Sequence, residues 1–381
     1  MPARRDLPTP EAEELLGLTR DIAIAELRPY AADFEARAEF PRAAFSTLGK
    51  AGLLGLPYPE QYGGAAQPYE VYLQVVEELS SAWLAVGLGV SVHALACYPT
   101  AAFGTAAQKE ALLPDMLGGE LIGAYCLSEP ASGSDAAALR TRAIRDGHDY
   151  VVTGVKAWVT HGGVADFYNL MVRTADTGAR GISTLLAAAG TPGLQPQPAE
   201  HKMGLAASPT TQLVLDGARV PADRLLGAEG GGFAIALSAL DGGRLGISAC
   251  AVGLAQAALD EATAYARQRR QFGSAIIDFQ GVAFLLADMA TQVEAARALY
   301  LSVARLRDAG RPYGDRAAMA KLFCTEMAMR VTTDAVQVLG GAGYVEDHPV
   351  ERYFREAKVL EIVEGTNQVQ RLVIGRALAK A

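Results

Sequence analysis

The sequence predicts a mainly α-helical protein with a central β domain: an N-terminal helical domain, an antiparallel β-barrel or sandwich, and a C-terminal four-helix bundle. Three observations predict this order. Apolar residues recur at three- and four-residue spacing before residue 121, alternating β-branched segments follow, and long helical periods return after residue 228. The predicted domains are residues 1–121, 122–228 and 229–381, and a chain of 381 residues can form three separate cores.

The first domain is predicted from two amphipathic segments. The stretch "TPEAEELLGLTRDIAIAEL" follows a Thr cap, and "QPYEVYLQVVEELSSAWL" shows the same spacing after a Pro/Gly-rich connection. Residues 80–108 contain no Lys, Arg, Asp or Glu and are long enough to cross a bilayer. Because they also hold Gly87, Gly89, Ser91, His93 and Pro99, we expect a helix buried inside the domain and no membrane span.

The other two domains differ in their period. The segments "DYVVTGVKAWVT" and "TTQLVLDGARV" alternate and lie between turn-rich stretches, which is typical of short strands. Two later segments keep a helical period until Gly310-x-Pro312 and Gly340-Gly341 end them. With a helix around "SALDGGRLGISACAVGLAQAALDEATAYARQ" and a last helix from Thr366, they predict an antiparallel four-helix group.

Composition excludes several classes of partner. The net charge of −8 and the pI near 5.3 argue against nucleic acid or an anionic membrane surface as a partner. The four cysteines form no CxxC pair and the five histidines are scattered, so we expect neither disulfides nor a metal site. Together with the lack of a signal-peptide pattern at the N-terminus, this predicts a cytoplasmic protein.

Several common catalytic motifs do not occur. The sequence has no G-x-G-x-x-G after a predicted strand and no P-loop, which argues against a Rossmann nucleotide site and against phosphoryl transfer from a nucleotide. It also has no G-x-S-x-G elbow and no H-E-x-x-H helix, which removes the usual serine hydrolase and zinc protease interpretations.

Glu364 is the first residue that suggests chemistry. It lies between apolar Ile362-Val363 and Gly365, directly before a predicted helix. One interpretation is an acid that stabilises the helix N-terminus. The other is a catalytic base whose basicity is raised by burial, since desolvation can shift a pKa by several units while a helix dipole contributes about 1 kcal/mol or less. The residues alone leave both open.

Polar turns at the predicted domain edges suggest a cofactor site. "YCLSEPASGSD" leads into the β domain and offers three serines, and "KAWVTHGG" places an aromatic plane beside a hydroxyl. "RQRRQFG" and "VLGGAGY" are basic or glycine-rich, as phosphate contacts often are. Each has an ordinary alternative: a turn, a core tryptophan, a solvated helix end, a helix C-cap.

Taken in order, these segments resemble the acyl-CoA dehydrogenase family over essentially the whole chain. The match comprises "YCLSEPASGSD", "KAWVT", "LDGGRLG", "RRQFG…FQ", "QVLGGAGY" and "EIVEGTNQ", six motifs in the family's order. The resemblance implies non-covalent FAD between the β domain and the C-terminal bundle, with a neighbouring subunit completing the site. The implied flavin contacts are Tyr125, Leu127, Ser128, Ser134, Trp158, Thr160, Thr366 and Gln368, and the implied pyrophosphate and adenosine contacts are Arg269, Phe272, Gln280, Gln337 and Gly341.

The resemblance also implies the reaction. Glu364 would remove the α-proton of an acyl-CoA thioester while hydride leaves the β-carbon for the flavin, giving the trans-2-enoyl-CoA. The implied substrate contacts are Ser134, Asp241, Arg244, Val363 and Gly365. The implied partners are an electron-transfer flavoprotein as electron acceptor and further copies of the chain, most often four in this family. Some members carry the base next to the residue equivalent to Arg244, but that position is Gly243 here.

Two departures from the family pattern bear on specificity. Ser128 stands where Thr is common, and a hydroxyl is retained. Val363 stands where straight-chain members often carry Tyr, which leaves room for an α-branched acyl group; simple repacking is the alternative. For the function, an oxidase or monooxygenase on the same scaffold and a non-catalytic helical scaffold remain as alternatives to a short- to medium-chain dehydrogenase.

Overall fold

The protein is described here by a computed structural model that covers residues 3, 5 and 7–380. The N-terminal part is helical, as predicted. Thr9 caps the first helix, because its hydroxyl accepts a hydrogen bond from the backbone N–H of Ala12 at 3.2 Å. The helices are α1 (Pro10–Ile22), α2 (Ala31–Arg37), α3 (Arg42–Lys50), α4 (Tyr69–Ala82), α5 (Leu84–Phe103) and α6 (Ala106–Gly118).

The charge-free segment 80–108 does not form one continuous helix. Trp83 is extended and separates α4 from α5, and Gly104 separates α5 from α6. The expected burial is confirmed, since α5 packs against α4, α6 and the helix that follows the β domain. By length and composition alone, α5 and the helix Gly232–Gln268 could cross a membrane, yet 89% and 78% of their most apolar windows are buried inside the protein. Burial in the core accounts for their composition.

The middle part is an eight-stranded sheet in the order β6-β7-β3-β2-β4-β5-β8, with β1 paired to β4. The prediction of a purely antiparallel domain was wrong, because β1 and β2 both run parallel to β4 and the sheet is mixed. A crossover through β2 and β3 separates β1 from β4, which allows the parallel pairing. The strands are β1 (Gly123–Cys126), β2 (Arg142–Asp146), β3 (Asp149–Thr160), β4 (Phe167–Arg173), β5 (Ile182–Ala188), β6 (Leu194–Pro196), β7 (Thr210–Pro221) and β8 (Leu225–Leu226).

The C-terminal part is built on a long central helix. The elements are α7 (Gly232–Gln268), a hairpin of β9 (Arg270–Gln271) and β10 (Ser274–Ala275), α8 (Gln280–Asp308), α9 (Gly314–Leu339), α10 (Val350–Leu360) and α11 (Asn367–Leu378). Helices α7, α8, α9 and α11 form the predicted four-helix group, with α10 as a short fifth helix against α7 and α9. Because α7 also packs on α4 and α5, the two helical domains share one hydrophobic core.

A buried ion cluster joins the chain's start to this shared core. Glu77 in α4 is fully buried and lies 2.6 Å from the Arg5 guanidinium. Arg297 of α8 donates to the same carboxylate at 3.0 Å, and the hydroxyl of Tyr300 donates to it as well. The neighbouring acid Glu78 receives a hydrogen bond from Arg5 at 2.7 Å at the edge of the cluster. A segment near the N-terminus is thus fastened to two helices that belong to different domains.

Candidate active site

Glu364 lies in a tight turn between α10 and α11. Its φ is +53° and that of Gly365 is +88°, so two successive residues adopt the left-handed conformation. For a non-glycine residue this conformation is unfavourable and is often found at functional sites. The cap of α11 is Thr366, whose hydroxyl accepts a hydrogen bond from the backbone N–H of Val369 at 3.3 Å. Glu364 therefore does not serve as the helix cap, and that interpretation of the sequence was wrong.

The Glu364 carboxylate lies against α7 at the position of Gly243. A Cβ atom at Gly243 would collide with the carboxylate oxygen, so only glycine leaves this space free. Both carboxylate oxygens are shielded from solvent, and neither accepts a hydrogen bond within the described part of the chain. Burial raises the pKa of Glu364 to about 7, although Lys321 and Arg244 oppose the shift. The direction agrees with the sequence-based expectation that burial outweighs the helix dipole.

The walls that exclude water from Glu364 differ from those expected. Ile362 was expected to cover the acid, but its side chain is 53% exposed and faces outward. Val363 packs against the core instead. A turn reverses side-chain directions from one residue to the next, which a linear apolar pattern does not reveal. The acid is enclosed mainly from the side of α7, where glycine allows close approach.

A polar pair on α7 lies next to the acid. Arg244 is buried and donates a hydrogen bond to Asp241 at 2.6 Å, one helical turn earlier. Burial raises the pKa of Asp241, and Arg244 acts against that rise. Arg244 and Asp241 were both predicted to contact substrate, and the structure places Arg244 close enough to Glu364 to favour its ionised form. The positive charge of Arg244 is therefore partly neutralised by its ion pair with Asp241.

A small cavity extends from Gly243 towards α4 and α8. Its volume is about 20 Å³, enough for about one or two water-sized groups. Among its lining residues, the Arg307 guanidinium stacks 3.3 Å above the ring centre of Tyr69, whose hydroxyl donates to the Gly242 carbonyl at 3.0 Å. Tyr313 also lines the cavity. Sequence reasoning did not find this closure, because its residues come from segments that are far apart in the chain.

The β domain contributes a second wall. Tyr125, on β1, donates through its hydroxyl to the Ala236 carbonyl of α7 at 3.3 Å, which ties the sheet to the helix that faces Glu364. The loop after β1 then packs on β3, since the Ser128 carbonyl accepts from Ala157 N–H at 2.9 Å. The predicted residues of these two motifs are therefore brought together. Ser134 lies further along the loop and is exposed.

Trp158 is the most unusual residue of this wall. It has a φ of +59° at a bulge in β3, where the pairing register with β7 shifts, and its side chain is 66% exposed. The interpretation of Trp158 as an ordinary core residue was wrong. An exposed indole plane, with half-buried Thr160 two residues later, suits stacking by a planar aromatic group. This surface fits the isoalloxazine ring of a flavin.

Most of the remaining predicted cofactor residues are exposed on the C-terminal domain of this chain. The β9–β10 hairpin presents Arg269 and Phe272, and Phe272 is 96% exposed with its ring 6.1 Å from that of Phe279. Gln280 begins α8 beside them, and the other exposed members are Gln337, Gly341 and Gln368. Half-buried Thr366 is the exception and lies beside Glu364. An almost fully exposed phenylalanine is typical of a surface that another molecule covers.

Sequence reasoning missed a buried ion pair behind the cofactor wall. Lys156 is fully buried and lies 2.8 Å from Glu129, and it also donates to the Leu127 carbonyl at 3.2 Å. Glu129 accepts further hydrogen bonds from the N–H groups of Arg140 and Thr141. Burial opposes the ionisation of Glu129, but Lys156 outweighs it and lowers the pKa of Glu129. The pair holds the loop that carries Ser128 against β3.

It also missed three residues beneath the turn of Glu364: Lys321, Asn367 and Gln370, all buried. The available signal was the position of Lys321 in "AAMAKLFC", where it shares a helical stripe with apolar Ala317 and Cys324. A charged residue in an otherwise buried stripe needs a partner inside the protein. In this protein the partners lie in the turn that carries the candidate base.

Comparisons with known proteins give the family. Family models described as the N-terminal, middle and C-terminal domains of acyl-CoA dehydrogenase match residues 9–120, 124–218 and 230–379. The chain is 45% identical over 372 residues to an acyl-CoA dehydrogenase of Bacillus subtilis (strain 168), covering 97% of this chain and 98% of the relative.

Solved structures agree. A butyryl-CoA dehydrogenase from Megasphaera elsdenii superposes with a TM-score of 0.96 at 39% identity and covers 99% of this chain and all of the other. A chain from a structure of the electron transferring flavoprotein of Acidaminococcus fermentans gives 0.97 at 40% identity, with 99% and 100% covered. The prediction of a helical, β, helical order is confirmed, and the scaffold interpretation falls away. The chain belongs to the acyl-CoA dehydrogenase family and is an oxidoreductase that acts on acyl-CoA.

Proposed function

We propose that this enzyme dehydrogenates short acyl-CoA thioesters between the α- and β-carbons, with FAD as cofactor and Glu364 as the base that removes the α-proton. The observation that carries the proposal is a buried carboxylate that accepts no hydrogen bond within the described residues and lies against Gly243, which also lines a small cavity. The similarity to a butyryl-CoA dehydrogenase supports the same substrate class. The product is the trans-2-enoyl-CoA.

FAD is the cofactor of this flavoprotein, and the exposed indole of Trp158 with its neighbours supports a site for the flavin ring. Thr160, Tyr125, Leu127 and Ser128 line that wall in our proposal, and Ser134 lies at its edge. When bound, FAD supplies the acceptor for the hydride that leaves the β-carbon. The exposed group on the C-terminal domain then holds the adenosine and pyrophosphate of a neighbouring subunit's cofactor, comprising Arg269, Phe272, Gln280, Gln337 and Gly341.

Glu364 can act as a base because of what surrounds its carboxylate. In water a carboxylate is too weak a base for the α-proton of a thioester, but burial destabilises its charge and raises its proton affinity. Since no donor occupies its oxygens among the described residues, their lone pairs are free to receive a proton. In our proposal Arg244 and Asp241 lie along the substrate, while Gly365 and Val363 flank the thioester and the acyl chain.

Activity should rise with pH through a single group near neutrality. Glu364 must be ionised to accept the proton, and burial raises its pKa to about 7, so kcat/KM is expected to increase about tenfold per pH unit below 7 and to level off above it. The measurement is kcat/KM for butyryl-CoA between pH 5.5 and 9 with an artificial electron acceptor. A rising limb near pH 4.5, as for a solvated glutamate, would contradict the burial of the base.

Acyl chain length and branching should follow the shape of the cavity. Because Arg307 and Tyr69 line this small cavity, a longer acyl group has to displace more of the packed side chains, so octanoyl-CoA is expected to react at least about tenfold more slowly than butyryl-CoA, in kcat/KM. Val363 leaves room beside the α-carbon, so isobutyryl-CoA should also be a substrate. Mixing the holoenzyme anaerobically with each thioester and following the bleaching of the flavin absorbance gives the order directly.

A matched variant tests the branching argument. Val363→Tyr should lower turnover of isobutyryl-CoA relative to butyryl-CoA by about tenfold or more, because the ring would fill the space beside the α-carbon. Equal loss with both substrates would assign Val363 to packing alone. Failure of every acyl-CoA to bleach the flavin would contradict the proposed function itself.

We also propose the partners and setting of the enzyme. An electron-transfer flavoprotein as electron acceptor is supported by the similarity to a chain from the structure of such a flavoprotein. The exposed Phe272 hairpin supports a homo-oligomer, for which four copies are expected, and the cytoplasmic location remains a prediction from the sequence. Oxygen consumption that keeps pace with substrate turnover would instead favour the oxidase alternative.

A further inference from the structure

The turn that carries Glu364 needs support, because its backbone is unfavourable. The left-handed conformation is unfavourable for a non-glycine residue, and Glu364 must keep it to face Gly243. Gln370 supplies one support, since its side-chain amide donates to the Gly365 carbonyl at 2.7 Å and to the Glu364 carbonyl at 3.3 Å. These contacts hold the outer side of the turn.

Lys321 supports the turn from α9. Its ammonium is fully buried and donates to the Gly365 carbonyl at 3.0 Å and to the Asn367 side-chain oxygen at 2.9 Å. One helical turn later, the Thr325 hydroxyl donates to the same Asn367 oxygen at 3.1 Å. Two residues of α9 thereby hold the segment 365–367 directly behind the carboxylate. Burying a lysine is costly, so its place here requires explanation.

Lys321 forms no ion pair with a carboxylate in the described part of the chain. Within the described residues no acid lies at ion-pair distance from its ammonium, whereas the second cation near Glu364, Arg244, is paired with Asp241. The acids that influence Lys321 besides Glu364 are Glu361 and Glu326, and each has another cation, as the salt bridges to Lys358 and Arg371 show. The positive charge of Lys321 is therefore directed chiefly at Glu364.

The other groups that face Glu364 carry no charge near neutral pH. They are buried Tyr69 from α4, half-buried Tyr125 from β1 and buried Cys250 from α7, all with raised pKa values. Lys321 is close enough to favour the ionised acid without donating a hydrogen bond to it. That distinction matters, because a hydrogen bond from lysine would occupy the lone pair that must receive the proton.

We propose that Lys321 is a positioning residue for Glu364: it holds the turn that aims the carboxylate and provides the positive charge that keeps the acid ionised at working pH. The proposal rests on the role of Glu364 as the base. Burial lowers the pKa of Lys321 to about 8, with Glu364 opposing the shift, so most of the lysine is charged at pH 7, where Glu364 titrates.

The test is the pH profile of kcat/KM for butyryl-CoA in purified, FAD-loaded variants. Lys321→Met removes the charge, so the rising limb should move to higher pH by about one unit or more, with at least about fivefold loss at pH 7. Asn367→Asp keeps the lysine and the shape but gives its ammonium a carboxylate, so the limb should move in the same direction. This variant serves if Lys321→Met does not fold.

Thr325→Val is the matched control, because it deletes a hydrogen bond in the same cluster and changes no charge. The rising limb of its pH profile of kcat/KM should lie at the same pH as that of the wild type. The proposal is overturned if the limb is unmoved in both charge variants, or if Thr325→Val shifts it as far as they do. Since Glu364→Gln tests the base separately, an inactive Glu364→Gln with unmoved limbs would refute the role of Lys321 and leave the proposed function standing.

Discussion

Glu364→Gln is expected to give a folded, FAD-containing protein whose acyl-CoA turnover is lower by a factor of about 10² to 10⁴. Glutamine fills the same space over Gly243 but cannot accept the α-proton. The measurement is the rate of flavin bleaching under anaerobic conditions with saturating butyryl-CoA. Wild-type turnover in this variant would refute Glu364 as the base.

Two observations separate this loss from misfolding. Glu361→Gln changes a neighbouring acid that is paired with Lys358 at the surface, and it should retain most of the activity. The stability of the variant should increase although its activity falls. An acid whose pKa is raised on folding destabilises the folded state as the pH rises from its pKa in the unfolded chain to its pKa in the folded protein. Glu364→Gln should therefore melt at a higher temperature than wild type at pH 8, and this advantage should vanish below about pH 4.5.

Glu77→Gln should cause the largest loss of stability, on the order of 3–5 kcal/mol at pH 7. The substitution keeps the shape of the side chain but removes the buried carboxylate that Arg5 and Arg297 share, leaving Arg5 only Glu78 and Arg297 only Glu294. The midpoint of urea unfolding measures the effect. A shift no larger than that of a surface variant would contradict the view that this cluster depends on Glu77.

Glu78→Gln is the matched control, because it alters the adjacent residue of α4, which also binds Arg5 but pairs with half-exposed Arg20 as well; about 1 kcal/mol or less is expected. The pH dependence gives a second check. Burial opposes ionisation of Glu77, but Arg5 and Arg297 outweigh it, so its pKa is lowered. This contribution is complete above the unfolded pKa of about 4.5 and is lost as pH falls through the lower folded value, so the two proteins should converge in acid.

Periodicity in the sequence predicted most of the architecture because helices and strands leave different repeats. The ends of α8 and α9 were correctly placed, since Gly310 and Gly340 follow these helices with positive φ, a conformation that ends a helix. The parallel pairing of β1 with β4 could not be predicted, because pairing direction depends on where a distant strand arrives. The break at Trp83 was missed for a similar reason, as apolar residues continue on both sides of it.

The candidate site was predicted unevenly. Glu364 could be found from its motif, and its raised pKa could be anticipated from burial. The residues that surround the acid could not be predicted. Gly243 matters only because Glu364 lies against it, and Lys321 matters only because a turn 44 residues later accepts its hydrogen bonds. Strand alternation alone suggests a core position for Trp158, but a bulge reverses the direction that alternation assigns to it. These features of the site depend on contacts between segments that are far apart in the sequence.

The ion cluster around Glu77 has a practical consequence for anyone producing this protein. Arg5 is almost fully enclosed, with only 8% of its side chain accessible, although it lies so close to the first residue. Deleting Arg5, or fusing a bulky affinity tag directly to it, should loosen helices from two domains at once. A purification handle at the opposite end, after solvent-facing Leu378, leaves the cluster intact.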